Sequence, residues 1–327
     1  MMWRDLRNHL PEAINVNLSC QSLPNLRHLV APCLVTALFV VLSFATDAPT
    51  SRSVTAQTRQ PVIIFSVSGE SGEGNMDAVA LVSGRQFKPP YREENKQDET
   101  AFAKNYFAAG KTYRLIFGGG DAGTVTVKKW SEGCNNIHSE VTMAGGPLLG
   151  GQVRALATDS DSLGKRTSSR RAPSAEERAA VLKLVRSIYR QRRTPAVLLN
   201  SIKVTNLTAT DIDGDSKPEF AGSFMLTTRG RAKAGSEGPI NFERDLFLIA
   251  KGDALSVRGD FVKFQAYRPP PEQFLSSIDY VDQLDVDGDG IGEVFTIQGG
   301  FDAYAYVIFK KAGGRWREVY QGTGDAC

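Results

Sequence analysis

Two short acidic segments carry the residues best suited to chemistry in this chain. They share the core Asp-x-Asp-Gly-Asp and place carboxylates at positions 1, 3, 5 and 9 of a nine-residue segment. Four negative charges held so close together repel one another unless they share a cation. Both segments therefore predict a metal site. The carboxylates are Asp211, Asp213, Asp215 and Glu219 in the first segment, and Asp285, Asp287, Asp289 and Glu293 in the second.

The donor atoms of these segments indicate which metal they bind. Calcium accepts roughly six to eight oxygen ligands in flexible geometry, whereas magnesium prefers a tighter octahedron and retains more water. Soft or tetrahedral metals prefer Cys or His, which both segments lack. The backbone carbonyl at position 7, which belongs to Lys217 or Ile291, and water would complete a calcium shell. We therefore predict up to two calcium ions as cofactors, one in each segment.

The residues around the segments indicate which type of calcium loop they form. An EF-hand needs an acidic residue at position 12 and flanking helices, but position 12 is Gly222 in one segment and Thr296 in the other. The neighbouring residues also favour strands, so an EF-hand is excluded. A turn capped by Asp side chains without metal is the alternative. The repetition of identical spacing favours the metal.

The two segments resemble the calcium loops of the FG-GAP and VCBS repeat families, the β-propeller repeats of integrin α-chain type. The family pattern is Asp-x-Asp-x-Asp-Gly-x-x-Asp followed by a strand, and the resemblance implies that the carboxylates named above are calcium ligands. It also implies a role in adhesion, recognition or extracellular scaffolding. Propellers have about four to eight blades, so two segments imply a two-repeat β unit rather than a complete propeller. Ser216 occupies a turn position where the family has Gly, and we expect a positive φ angle there.

The elements that must position these segments are mainly strands. Short runs of β-branched and aromatic residues, bounded by Gly, Ser, Asn and Asp, predict two antiparallel β modules at 61–158 and 195–327. A basic linker at 159–173 and one amphipathic helix at 174–193 join the modules, and Ser174 opens the helix with a capping box. The fold class is therefore mainly β, with both acidic segments in the second module.

Two stretches of the first module have local signals of their own. Gly118, Gly120 and Gly123 match the spacing of a dinucleotide-binding fingerprint, but the residues after them favour a strand. No helix N terminus would then hold a pyrophosphate, and we predict a glycine-rich hairpin. A helical turn is expected near residues 101–109, after an exposed polar loop at 89–100.

An apolar run at 29–45 indicates export. It contains no charged residue, Pro32 interrupts its first turn, and small residues precede a cleavage point after Ala45. The run is short for a membrane span, so a cleaved signal peptide (1–45) followed by a polar tether (46–60) is favoured over an uncleaved N-terminal anchor. The folded part is then secreted, periplasmic or at the cell surface, with membrane contact only through an uncleaved leader.

The few cysteines and histidines limit the chemistry further. The chain has four Cys and three His, and outside the leader only Cys134, Cys327 and His138 remain. An even number of cysteines in an exported chain predicts one disulfide, with two free thiols as the alternative. A single histidine argues against histidine-based catalysis and His-rich zinc sites. A catalytic pair of Cys134 and His138 lacks a third group and is disfavoured.

Composition and charge complete the functional prediction. The 327 residues are 41% hydrophobic and 23% charged, with a net charge of +3, which is ordinary for a globular protein and argues against general nucleic-acid binding. The basic residues around 165–193 favour either docking onto an anionic surface or, more simply, a solvated helix face.

No residue outside the acidic segments has a catalytic assignment, so we predict no enzyme. We predict an exported protein in which structural calcium supports recognition of a glycan or a protein at the cell envelope. The alternatives are a secreted hydrolase with a calcium-stabilised scaffold and a purely structural envelope protein.

Overall fold

Strands dominate the part of the chain that the structure describes. The computed structural model describes residues 61–70, 72–92, 95–133, 136–145, 153–229, 241–267, 277–299, 303–322 and 324. The predicted leader and tether, as well as Cys134 and Cys327, lie outside these residues. Export, cleavage and the disulfide therefore stay predictions.

Fifteen strands and two α-helices occur in the described residues, which confirms the mainly β fold class. The strands are β1 (Val62–Glu70), β2 (Glu73–Ser83), β3 (Gln86–Lys88), β4 (Thr112–Phe117), β5 (Gly120–Glu132), β6 (Ile137–Gly145), β7 (Val153–Thr158), β8 (Lys203–Thr210), β9 (Glu219–Arg229), β10 (Asn241–Gly252), β11 (Val257–Tyr267), β12 (Ser277–Leu284), β13 (Glu293–Gly299), β14 (Tyr304–Ala312) and β15 (Arg315–Gly322). The helices are α1 (Lys96–Tyr106) and α2 (Ala175–Gln191), and a 3-10 helix covers Ala196–Ser201.

The first module is an antiparallel sheet, as its strand pattern predicts, and the sheet is closed. β1 pairs with both β2 and β7, and the order β1-β7-β4-β5-β6-β2 closes a ring of six strands, with β3 added beside β2. Closure leaves no free edge on those six strands. Alternate residues of β1 (Ile63, Phe65 and Val67) belong to the core inside this closed sheet.

Helix α1 packs against that core. Its first turn lies in the segment predicted to be an exposed loop, because Asn95 caps the helix and its side chain accepts hydrogen bonds from the N–H groups of Gln97 and Asp98. Phe102 and Phe107 join the core cluster. The predicted hairpin is present, since β4 and β5 are joined by a turn with positive φ angles at Gly118 and Gly119.

The second module contains two four-stranded antiparallel sheets, β8–β11 and β12–β15, which stack face to face. Both faces of the β12–β15 sheet are apolar. Successive side chains of a strand point to opposite faces, and neighbouring apolar residues of this sheet are buried in two different cores. Val294 and Phe309 belong to the core shared with β8–β11, whereas Phe295 and Ile308 belong to the core shared with the closed sheet. All described residues fall within one compact unit.

Helix α2 covers the remaining face of the β8–β11 sheet. It has the predicted capping box, in which Ser174 and Glu177 exchange hydrogen bonds. Val181 and Val185 are buried against the sheet, and the hydroxyl of Tyr189 donates to two backbone carbonyls at 3.0 and 2.9 Å. The helix therefore stabilises the sheet that holds the first acidic segment.

The segment 159–173 has no helix or strand, but it is more than a solvated connection. Arg170 is buried and forms an ion pair with the fully buried Asp282 of β12, with 3.4 Å between Nη1 and Oδ2. The N–H of Gly118 donates to both oxygens of Asp282 at 2.9 Å. The rings of Phe117 and Tyr280 lie 4.5 and 4.9 Å from the guanidinium. Polar composition alone did not reveal that this segment joins the closed sheet to β12.

A buried carboxylate on β10 predicts a pH dependence of stability. Asp245 is 6% exposed, and its two oxygens have no hydrogen-bond partner in the described residues. Burial, together with the carboxylates of Glu243 and Asp279, raises the pKa of Asp245 to about 7. In the unfolded chain its pKa is about 3.9. Between these values the folded protein binds more protons than the unfolded chain, so this group lowers the stability as pH rises towards 7.

We therefore expect Asp245→Asn to flatten the pH dependence of unfolding and to stabilise the protein most at pH 7 and above. Urea unfolding between about pH 4 and pH 8 measures the effect. Glu70→Gln, at an exposed glutamate at the end of β1, serves as the control and should leave the pH profile unchanged. An unchanged pH profile for Asp245→Asn would contradict the raised pKa of Asp245 in the folded protein.

Candidate metal centres

The two acidic segments occupy equivalent places in the two stacked sheets. Loop 1 (residues 211–219) joins β8 to β9, and loop 2 (residues 285–293) joins β12 to β13. Each loop therefore follows the first strand of a four-stranded antiparallel sheet. The flanking elements are strands, as the exclusion of an EF-hand requires.

Position 1 organises both loops in the same way. Asp211 Oδ1 accepts from the N–H of Gly214 at 2.7 Å, and its Oδ2 accepts from the N–H of Ser216 at 2.9 Å. Asp285 accepts from the corresponding N–H groups of Gly288 and Gly290 at 2.8 and 3.0 Å. Two loops 74 residues apart in sequence thus have matching backbone turns.

Positions 5, 7 and 9 repeat this agreement. The N–H groups of Lys217 and Ile291, at position 7, donate to the position-5 carboxylates at 2.8 and 2.9 Å. At position 9, Glu219 accepts from the N–H of Ile212 at 2.7 Å, and Glu293 accepts from the corresponding N–H in loop 2 at 2.9 Å. Position 9 thereby closes each loop onto its own start.

The expected positive φ angle at position 6 is confirmed. Ser216 has a φ of 67°, and Gly290, its counterpart in loop 2, has a φ of 91°. A left-handed backbone costs a non-glycine residue roughly 1–2 kcal/mol. Loop 1 therefore keeps this turn at a cost that loop 2 avoids.

The loops bring most of the predicted ligands together. Oxygens of Asp211, Asp213 and Glu219 all lie within 4.8 Å of one another, and so do oxygens of Asp285, Asp287 and Asp289. These clusters could hold a metal ion. Of the other predicted carboxylates, Asp215 and Glu293 fall outside the two sets.

A lysine from the third strand of each sheet enters each cluster, which the sequence reasoning missed. In loop 2, Lys310 Nζ lies 2.9 Å from Asp287 Oδ2, 3.0 Å from Asp289 Oδ2 and 2.6 Å from Glu293 Oε1. In loop 1, Lys251 contacts Asp213 and lies 3.1 Å from an oxygen of Glu219.

Strand register explains why both lysines arrive at the same place. Lys251 of β10 pairs directly with Glu219 at the start of β9. The β13–β14 register brings Lys310 beside Glu293 in the same way, since their neighbours Val294 and Phe309 are paired. The sequence does place a lysine in the second strand after each acidic segment. Whether that lysine reaches the carboxylates depends on the strand register, which local sequence does not specify.

In each cluster, burial and the lysine have opposite effects on the pKa of the glutamate at position 9. Burial raises the pKa of Glu219 and of Glu293, and the neighbouring lysine in each loop opposes that rise. Burial opposes protonation of Lys310, but its hydrogen bonds with the three carboxylates raise its pKa above the usual value. Each cluster thus stabilises a positive charge at its centre.

The residues present fit an oxygen-coordinated cation. Asp213 Oδ1 and Asp287 Oδ1, both at position 3, are buried and have no hydrogen-bond partner among the described residues. A buried carboxylate oxygen without a partner is costly, since an ionised carboxylate can only accept. An oxygen-only donor set is what calcium prefers.

The two loops contact each other directly. The N–H of Gly292 in loop 2 donates to the carbonyl of Ile212 in loop 1 at 2.8 Å. Gln283 Nε2, just before loop 2, donates to the carbonyl of Asp211 at 2.7 Å. Arg166, from the segment 159–173, donates to a backbone carbonyl of loop 2 at 2.7 Å and lies 3.6 Å from Asp285 Oδ2. Hydrogen bonds therefore join the two loops directly.

The histidine of the folded part, His138, lies in β6. His138 Nε2 is 2.9 Å from Ser131 Oγ, but no carboxylate hydrogen-bonds to His138 in the described residues. Its sequence neighbour Cys134 lies outside those residues.

No protein-family model matches the chain, and neither a curated protein nor a solved structure is significantly similar to it. Within the described residues there is also no helix that is both long and apolar enough to span a membrane. The repeat-family resemblance therefore stays a prediction. On structural grounds, the chain has a mainly β fold with two acidic clusters that could each hold a metal ion.

Proposed function

We propose that loops 1 and 2 each bind one calcium ion and that calcium is structural in an exported protein that recognises a glycan or another protein at the cell envelope. The observation that carries the calcium proposal is the repeated geometry. Both loops converge their carboxylates in the same hydrogen-bonded turn, and both leave the buried position-3 oxygen without a partner.

Calcium would act by tightening contacts that the chain already makes. Carboxylates from positions 1 and 3 precede the second strand of each sheet, and position 9 begins that strand. An ion shared among them would tie the loop to the strand, and the contacts between the loops would extend this order to both stacked sheets. Extracellular calcium near millimolar concentration suits even weak loops.

Calcium titration by calorimetry on the full chain tests the proposal. We expect saturable binding that approaches two ions per chain and a melting temperature that is higher in calcium than in chelator, because the ion binds the folded state. Asp287→Asn should remove binding at loop 2, and Asp213→Asn should remove binding at loop 1.

Asp161→Asn is the control for these variants, since it removes one exposed carboxylate outside both loops. It should bind calcium as the unsubstituted chain does. Absence of both heat and thermal shift in the unsubstituted chain would show that the acidic turns are capped strand connections without metal.

A further inference from the structure

The outward face of α2 carries a row of basic residues. Lys183, Arg186 and Arg190, here called the basic row, follow one another at spacings of three and four residues, which places them on one face of a helix. Lys183 and Arg190 are exposed and Arg186 is partly exposed, whereas the opposite face of α2 is buried against the β8–β11 sheet. Arg192 and Arg193, both exposed, continue the positive charge past the end of the helix.

The structure separates the basic residues at 165–193 into those with internal partners and those without. Arg166 donates to a backbone carbonyl of loop 2, and Arg170 and Arg171 form ion pairs with carboxylates at 3.4 and 2.7 Å. The side chains of the basic row, in contrast, form no ion pair within the described residues. The basic row is therefore available to an external partner.

The basic row does not stabilise the helix that carries it. Like charges three or four residues apart on a helix repel one another and lower its stability. The helix dipole favours a cation in the last turn, which accounts for Arg190 but not for Lys183 or Arg186. A partner with several negative charges would remove this repulsion.

The length of the basic row and its surroundings indicate the class of anionic partner. The row extends about 10 Å along the helix axis, so a linear chain with repeated negative charges can contact all three side chains, whereas one small anion cannot. An amphipathic helix on a bilayer inserts its apolar side chains, but those of α2 face the sheet. Single-stranded nucleic acids stack on exposed aromatic rings, and the aromatic residue of α2, Tyr189, is fully buried.

We propose that the basic row binds an anionic polysaccharide, whose carboxylate or sulfate groups pair with Lys183, Arg186 and Arg190. The proposal rests on the recognition role proposed above and names its partner class, but it uses no residue of loops 1 and 2. An arginine can hold a carboxylate through two parallel hydrogen bonds, so Arg186 and Arg190 would orient the chain and Lys183 would add charge. Salt should weaken this complex, because its charges are exposed to solvent.

Calorimetry on the full chain in chelator tests the surface, with polygalacturonate and heparin as anionic polysaccharides and dextran as a neutral one. We expect saturable binding of at least one anionic polysaccharide and none of dextran. Raising sodium chloride from about 0.05 to about 0.5 M should weaken the binding at least tenfold. The triple variant Lys183→Gln, Arg186→Gln and Arg190→Gln should also weaken it at least tenfold, and glutamine preserves the helix propensity.

A second triple variant, Lys88→Gln, Lys104→Gln and Arg317→Gln, is the matched control. It removes exposed basic side chains outside α2 that form no ion pair within the described part of the chain, and it lowers the net charge by the same amount. It should bind polysaccharide as the unsubstituted chain does, and thermal melts show whether both variants are folded. Equal losses in the two triple variants would mean that net charge alone attracts the polymer, and would overturn the surface.

Further titrations separate the possible partners and the two proposals. Double-stranded DNA and vesicles of equal parts phosphatidylserine and phosphatidylcholine are titrated in the same way. Tighter binding of either than of both anionic polysaccharides would overturn the polysaccharide assignment. Polysaccharide binding by a chain that takes up no calcium would support the basic row and overturn only the metal proposal, whereas calcium binding without polysaccharide binding would overturn the basic row alone.

Discussion

Asp282→Ala is expected to destabilise the protein by about 3–5 kcal/mol, because it leaves the Arg170 guanidinium buried without its counter-ion. The Arg170 side chain is 7% exposed and that of Asp282 is fully buried. The same substitution also removes the acceptor for the Gly118 N–H. Since folded domains have roughly 5–15 kcal/mol of stability in total, this loss should be visible as a large drop in the urea midpoint.

An exposed ion pair serves as the control for this buried one. Asp121→Ala breaks the pair of Arg114 and Asp121, which are 2.9 Å apart but include a half-exposed carboxylate, so we expect a loss within about 1 kcal/mol. Arg170→Met combined with Asp282→Ala should cost less than the sum of the single variants, since no buried charge is then left unpaired. Equal and small losses for Asp282→Ala and Asp121→Ala would contradict a central role for the buried pair.

Features that depend on interactions between residues close in sequence could be predicted, whereas features that depend on distant residues could not. The capping box at Ser174, the turn at Gly118 and the positive φ angle at Ser216 depend on residues within one or two turns of chain, and local sequence predicts them. The helix cap at Asn95 also depends on nearby residues, but the polar residues around it led to the prediction of a loop. Its Asn-x-x-Asp pattern was the signal that could have been used.

The rest of the architecture depends on pairings that local sequence does not contain. Gly118 and Asp282 are separated by 164 residues, and β1 closes the first sheet by pairing with a strand almost a hundred residues away. The spacing of the acidic residues predicted that each loop gathers charge. Only the register of β10 and β14 could show that Lys251 and Lys310 stand within those charges.

Lys310→Met is expected to make the stability of the protein strongly calcium-dependent. In chelator, the variant leaves the buried carboxylates of Asp287 and Glu293 without the ammonium, with a loss of about 3 kcal/mol by analogy with other broken buried pairs. In calcium, the ion would no longer compete with the lysine, and its affinity at loop 2 should rise at least tenfold. Thermal melts in both conditions, together with calcium titration, measure the two effects.

Lys311→Met is the matched control, because it makes the same change one residue further along β14. Lys311 pairs at 2.6 Å with Asp260, which lies outside both loops, so its loss should be the same in calcium and in chelator. Lys251→Met should act as Lys310→Met does but more weakly, since Lys251 contacts two loop carboxylates rather than three. If calcium failed to rescue Lys310→Met more than Lys311→Met, the lysine itself would be the permanent cation of loop 2, and the calcium proposal for that loop would be wrong.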